Sequence, residues 1–167
     1  MNAIMKRSLR SATLGLLSLA CVSLVATSPQ KAAAANPLGF FFVGGSYVTT
    51  TLDSEGNFAS RGVFTFHPDF TMSAIDSGQG GPTFFFSSQL GSWKFDGAGE
   101  IAARTLDFDY PPNADTGRLD YTVKFSADRT QITGTITLTT FPLTANPLDG
   151  GGTVAGTFTF SGNLITP

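Results

Sequence analysis

The feature that most constrains this chain is a regular alternation of apolar residues with threonine. In QITGTITLTTF, residues 131–141, Ile132, Ile136 and Leu138 share one parity and a series of threonines has the other. A period of two is typical of a β-strand with one buried face. The stretches RLDYTVKFS (118–126) and GTVAGTFTFSG (152–162) repeat the pattern. Strands that each have a single apolar face predict a sheet wrapped around one core.

Five further stretches have strand character and lie between turn signals: 46–52, 58–66, 70–77, 91–95 and 100–110. Eight strands joined by mostly short loops favour an all-β, eight-stranded antiparallel up-and-down barrel over a sandwich. Hairpin register must place inward residues opposite inward residues. On that basis we predict three cross-strand pairs: Phe125 with Ile132, Phe108 with Tyr121, and Trp93 with Ala102.

The N-terminus has the features of a secretory signal peptide. Its basic residues are Lys6, Arg7 and Arg10. An apolar run over 13–26 follows them, and Ala33 and Ala35 then form an A-x-A cleavage signal. We predict a signal peptide over 1–35 and a single barrel domain over 36–167, secreted or periplasmic. Lipidation at Cys21, within SLAC, is the alternative.

Cleavage at this position would change the chemistry available to the chain. It removes the only cysteine and four of the ten basic residues, which leaves six basic residues against twelve acids. The mature net charge of −6 and the scattered cations argue against nucleic acid and anionic membrane surfaces as partners. No later apolar run has the length of a membrane helix. We therefore expect a soluble exported protein without stable membrane insertion.

His67 is the only histidine, and it lies in GVFTFHPDFTM, residues 62–72. Its parity is opposite to that of its predicted inward neighbours, Phe64, Phe66 and Met72. It should therefore lie outward, before a turn formed by Pro68 and Asp69. A general base needs a nucleophile or an orienting partner within reach, and the nearby sequence offers neither. We predict a surface histidine beside a turn, no catalytic residue, no metal site and no cofactor.

The stretch DFDYPPNADTGRLD, residues 107–120, concentrates carboxylates and loop oxygens. In the predicted register Asp109 faces Asp120 across the hairpin, and like charges directly opposite are unfavourable. A calcium ion held by Asp109, Asn113, Asp115 and Asp120 would relieve that repulsion. We favour the interpretation as a solvated acidic loop, because the spacing of these residues matches no known calcium-binding loop.

The predicted inward faces are rich in aromatic residues, which either fill the barrel or line a cavity. An eight-stranded barrel is just wide enough for its own side chains or for one small ligand. Arg104 has the inward parity, and a buried charge needs an aromatic ring or an anion beside it. The candidate ligand-binding residues are Trp93, Arg104, Phe108, Tyr110, Tyr121 and Phe158.

Three segments resemble the calycin group of lipocalin-like barrels, and more closely small exported bacterial proteins without an assigned function. They are GVFTFHPDFTM, GSWKFDGAGEI and TLDFDY…GRL…VKFSADRTQITGTITL, within residues 45–165. Lipocalins carry G-x-W on the first strand, where this chain has Gly45-Ser46-Tyr47, whereas Gly91-Ser92-Trp93 comes mid-chain. The late arginine of lipocalins has no counterpart after Phe160. The resemblance implies the barrel and suggests binding of apolar ligands.

Three classes of function follow from these observations. The first is a barrel that binds a small apolar molecule in its interior, with an anionic end held by Arg104. The alternative is a structural or protein-interaction barrel with a filled core, and the third is a barrel cyclase or isomerase similar to allene oxide cyclases or dirigent proteins. The phenylalanine runs in GFFFVGG (39–45) and at 84–86 also suggest a homo-oligomer.

Overall fold

The computed structural model describes residues 44–80 and 85–167. The predicted signal peptide and Phe84 lie outside these ranges. The described chain forms strands β1 (Gly45–Leu52), β2 (Phe58–Phe66), β3 (Thr71–Asp76), β4 (Gln89–Gly97), β5 (Glu100–Phe108), β6 (Asp115–Phe125), β7 (Gln131–Pro142) and β8 (Thr153–Leu164).

The eight strands close into an antiparallel barrel in which each strand pairs with its sequence neighbour and β8 pairs with β1. This confirms the predicted fold class. We call the end at which β2 turns into β3, β4 into β5 and β6 into β7 the turn end. The opposite end, reached by the connections after β1, β3, β5 and β7, is the loop end. Within the described ranges there is no helix long and apolar enough to cross a membrane.

Aromatic rings fill the interior near the turn end. Tyr47, Phe66 and Phe125 meet edge to face, with centroid distances of 5.7–6.1 Å. Phe64 lies 5.2 Å from Phe160 and 5.5 Å from Tyr121 in the same geometry. Edge-to-face contacts of this kind stabilise a core beyond the burial of apolar area alone. This half of the barrel is therefore a packed core.

The predicted register is correct at one hairpin and wrong by one or more residues at two. Phe125 lies opposite Ile132, as predicted. Trp93 lies opposite Ala103 and not Ala102, and Phe108 lies opposite Thr116 and not Tyr121.

The β4–β5 hairpin explains why the opposite face of β5 from the one predicted lies inside the barrel. An irregularity between Phe95 and Gly97 shifts the pairing within β4, and one residue of shift moves every side chain of a strand to the other face. On β5 the inward residues are therefore Ile101, Ala103, Thr105 and Asp107.

A second, smaller core lies on the outside of the barrel. The pairing of β7 with β8 shifts between Leu138 and Thr139. Phe141 is buried on the outer face and does not belong to the interior cluster. The guanidinium of Arg118 lies 4.9 Å from the centre of the Phe141 ring and donates to the carbonyl oxygen of Pro147 at 2.8 Å. The connection between β7 and β8 is thereby held against the barrel wall.

The packing at Gly134 can be tested by adding a single methyl group. A Cβ at this position would lie 2.7 Å from Cζ of Phe160 and closer still to the carbonyl oxygen of Thr122. Gly134→Ala should lower the free energy of unfolding by about 2–3 kcal/mol. Urea unfolding followed by the fluorescence of Trp93 measures this change.

Gly97→Ala is the matched control, because its Cβ would meet only the flexible side chain of Glu100, at 3.5 Å. It should change the free energy of unfolding by no more than about 0.5 kcal/mol. Equal effects of the two substitutions would contradict the packing described for Gly134.

Candidate functional site

The structure separates the six residues that the sequence singles out as ligand-binding. Trp93 and Tyr121 are buried inside the barrel, and Phe158 packs half-buried against the same core. Arg104, Phe108 and Tyr110 point outward, so their predicted inward placement is wrong. Phe108 and Tyr110 are each 54% exposed. The parity of β5 decides this, since Thr105 and Asp107 take the inward positions.

Arg104 has its counter-charge on the outer face of the barrel. Its Nε donates to Oδ1 of Asp120, directly across the β5–β6 ladder, at 2.5 Å. Arg118 donates to the other carboxylate oxygen of Asp120 at 3.0 Å. The prediction that Arg104 is an inward charge in need of an anion is therefore wrong. Asp120 faces Arg104 and not Asp109, which also removes it from the hypothetical calcium loop.

A buried polar cluster replaces the predicted aromatic lining in the loop-end half of the interior. The hydroxyl of Tyr121 donates to Oε1 of Gln89 at 2.5 Å and accepts from the hydroxyl of Thr105 at 3.4 Å. Burial raises the pKa of Tyr121, so this phenol stays protonated and can serve as a donor. Gln89 was missed because the predicted strand began at residue 91, although it shares the parity of Trp93.

Asp107 lies in the same half of the interior and is 5% exposed. Burial raises its pKa to about 6, while a hydrogen bond from the backbone of Gly117 acts in the opposite direction. Its carboxylate occupies the space that a Cβ on Gly117 would need. A residue with a side chain at 117 would therefore displace this carboxyl group.

Two cavities of the described residues are lined mainly by residues that point outward from the wall, and neither is lined by Tyr121 or Asp107. The larger, which we call the outer groove, has a volume of about 820 Å³. Its floor is a row of β-branched residues directly opposite one another on three strands, Val48 on β1, Val63 on β2 and Ile75 on β3. Their outward apolar character was the sequence signal that would have revealed the site.

Aromatic residues form the facing wall of the outer groove. Phe85 and Phe86 precede β4, and Tyr110 follows β5. The two segments are joined by backbone hydrogen bonds, from Tyr110 to Phe85 at 2.7 Å and from Ser87 to Phe108 at 3.0 Å. Tyr110 therefore lines a cavity, as predicted, but on the outside of the barrel.

Two charged residues lie along the outer groove, and their surroundings differ. The carboxylate of Asp76 accepts from the hydroxyl of Ser60 at 2.6 Å and from the backbone of Gly78 at 2.7 Å. Arg61 forms no ion pair with any described residue, in contrast to Arg104, Arg118 and Lys124. The groove thus contains one acid whose oxygens already accept hydrogen bonds and one cation without a counter-charge.

A pair of acids lies behind the aromatic wall. Burial, together with a hydrogen bond to the carboxyl group of Asp115, raises the pKa of Asp109 to about 7. The backbone of Asp109 also donates to that of Asp115 at 2.9 Å, and Asp109 forms a bridge with Phe86. In the described part of the chain, no group of three or more acidic, histidine or cysteine residues is arranged to hold a metal ion.

His67 lies beside the β2–β3 turn, as predicted. Its Nε2 is 3.4 Å from the hydroxyl of Ser73, and its carbonyl oxygen accepts from Nε1 of Trp93 at 3.0 Å. Asp69 uses its carboxylate to hold the backbone and hydroxyl of Thr71, at 3.0 and 2.6 Å. Both residues are thus engaged in the structure of the turn.

The fold and these surfaces define the protein as an eight-stranded antiparallel closed β-barrel, and this architecture is consistent with the calycin-like fold. In comparisons with known proteins, no family model, no curated protein and no solved structure matches the chain. A relationship to the lipocalins and a bacterial origin therefore stay predictions from the sequence pattern.

The buried carboxyl group of Asp107 predicts a stability that depends on pH. Because its pKa is about 6 in the folded state against 3.8 ordinarily, the folded chain binds a proton that the unfolded chain has released in this window. The contribution of Asp107 to the free energy of unfolding should therefore fall as pH rises from about 4 to 6, by on the order of 3 kcal/mol.

Asp107→Asn should remove this contribution and leave that of Asp109, since the amide does not ionise and can still accept the hydrogen bond from Gly117. Urea unfolding at several pH values between 4 and 7 gives the free energy of unfolding of the wild type and of the variant. The wild type should lose stability relative to the variant as pH rises. Asp96→Asn, at an exposed position, is the control. A difference that is constant with pH would contradict the assignment.

Proposed function

We propose that this protein is an exported barrel that binds a small apolar molecule in the outer groove, and not in its interior. The observation that carries the proposal is the β-branched floor, Val48, Val63 and Ile75, facing an aromatic wall across a volume of about 820 Å³. Small-molecule sites usually enclose about 300–1,000 Å³ and are lined mainly by apolar and aromatic residues.

The packing of the interior supports an outer site. Edge-to-face rings occupy the turn-end half, and hydrogen-bonded polar side chains occupy the other. A ligand in the interior would have to displace such contacts, whereas a ligand in the outer groove covers Ile75, which is 53% exposed. Export through a signal peptide over residues 1–35 is also part of the proposal and is supported by the sequence pattern alone, because these residues lie outside the described ranges.

A structural or protein-interaction barrel is the second candidate. It is favoured by an exposed apolar patch next to the groove, where Leu90 lies opposite Leu106 and Phe108 follows on the same face. Leu90 is 66% exposed. Light scattering at rising protein concentration tests this candidate, and a homo-oligomer that Leu90→Lys dissociates would support it.

Binding to the outer groove can be measured with N-phenyl-1-naphthylamine, a neutral probe that fluoresces on leaving water. Ile75→Asn should weaken its binding about tenfold, because the substitution removes apolar contact area from the floor. Val154→Asn makes the corresponding change at an exposed position on β8 and should leave the affinity unchanged. Saturable binding that neither substitution alters would place the probe elsewhere and overturn the proposal.

A further inference from the structure

Arg61 lies where the floor of the outer groove meets the connection after β3. It faces Thr50 across the β1–β2 ladder, with its side chain exposed along the groove. Its backbone exchanges hydrogen bonds with Ser77, donating to the hydroxyl at 2.9 Å and accepting from the backbone at 2.7 Å. The backbone of Arg61 is thus held in place, and its exposed side chain lines the groove beside the apolar floor.

No acid of the chain neutralises this cation. All twelve acidic residues of the sequence fall within the described ranges. None of them lies within ion-pair distance of Arg61, whereas other cations, among them Arg104, Arg118 and Lys124, do have acidic partners. The side chain of Arg61 therefore keeps its hydrogen-bond donors for a partner that is not part of this fold.

Asp76 is the other charge on the groove, and its situation is the reverse. Both of its carboxylate oxygens accept short hydrogen bonds, from Ser60 at 2.6 Å and from Gly78 at 2.7 Å. A cationic ligand would have to compete with these bonds, whereas an anionic ligand would meet the donors of Arg61. The charge pattern of the groove therefore favours an anion over a cation.

Resting on the proposed function, we infer that the molecule bound in the outer groove has an apolar body and an anionic end, and that the Arg61 guanidinium binds that end. A planar guanidinium matches the oxygens of carboxylates and phosphates in two-point contacts. The apolar body would lie over the floor, against Phe85 and Tyr110. The role that the sequence suggested for Arg104 thereby belongs to a residue three strands earlier in the chain.

The inference can be tested with four ten-carbon probes that differ only in the end group: decanoate, decyl phosphate, decanol and decylamine. Each is used below its micelle concentration to displace N-phenyl-1-naphthylamine from the purified protein. The wild type should bind decanoate or decyl phosphate about tenfold more tightly than decanol, a modest ratio because Arg61 is solvent-exposed. Which of the two anions binds more tightly identifies the end group.

Arg61→Gln should abolish the preference for the anion and leave the affinity for decanol unchanged, whereas Arg61→Lys should retain part of it. Arg104→Gln is the matched control, since it removes the same charge from a residue paired with Asp120. Raising the salt concentration should weaken only the anionic probes.

The outcomes separate this inference from the proposed function. If Arg61→Gln weakens decanoate and decanol equally, the residue contributes packing and the inference is overturned. A preference for decylamine, or a loss of preference in Arg104→Gln, overturns it as well. If no probe binds the wild type, including the neutral ones, the proposed function itself fails.

Discussion

Closure of the sheet through the pairing of β8 with β1 is the constraint on which the rest of the structure depends. Because Tyr47 pairs with Leu164 at one end of that ladder and Leu52 with Thr159 at the other, no strand has a free edge. In a closed barrel every side chain points either into the core or away from it. The chemistry of the protein is therefore set by the parity of each strand.

Parity in turn depends on a few irregular positions. The irregularity between Phe95 and Gly97 places Thr105 and Asp107 inside, and with them the hydrogen bonds that join Gln89 to Tyr121. The same shift brings Arg104 to the surface beside Asp120. A polar interior near the loop end and an ion pair on the wall are thus two consequences of one local change in β4.

The polar and aromatic halves of the interior together explain why the surface carries the proposed site. An interior occupied by side chains leaves the outside of the wall as the place where apolar area can be enclosed. There Phe85 and Phe86, before β4, and Tyr110, after β5, face the row of Val48, Val63 and Ile75. Arg61 is the cation of that surface, and its lack of an acidic partner sets it apart from Arg104.

Alternation with period two was sufficient to predict eight strands, their order and the closed antiparallel barrel, because these depend on local patterning and short connections. It also placed His67 beside its turn and Phe125 opposite Ile132. Only the tertiary structure decided which face of β5 lies inside, because a one-residue irregularity leaves almost no trace in composition and yet reverses every side chain of a strand. The outer groove likewise depends on the tertiary structure. It is formed by residues of β1, β2 and β3 together with residues that come later in the chain, and only the folded backbone brings them together.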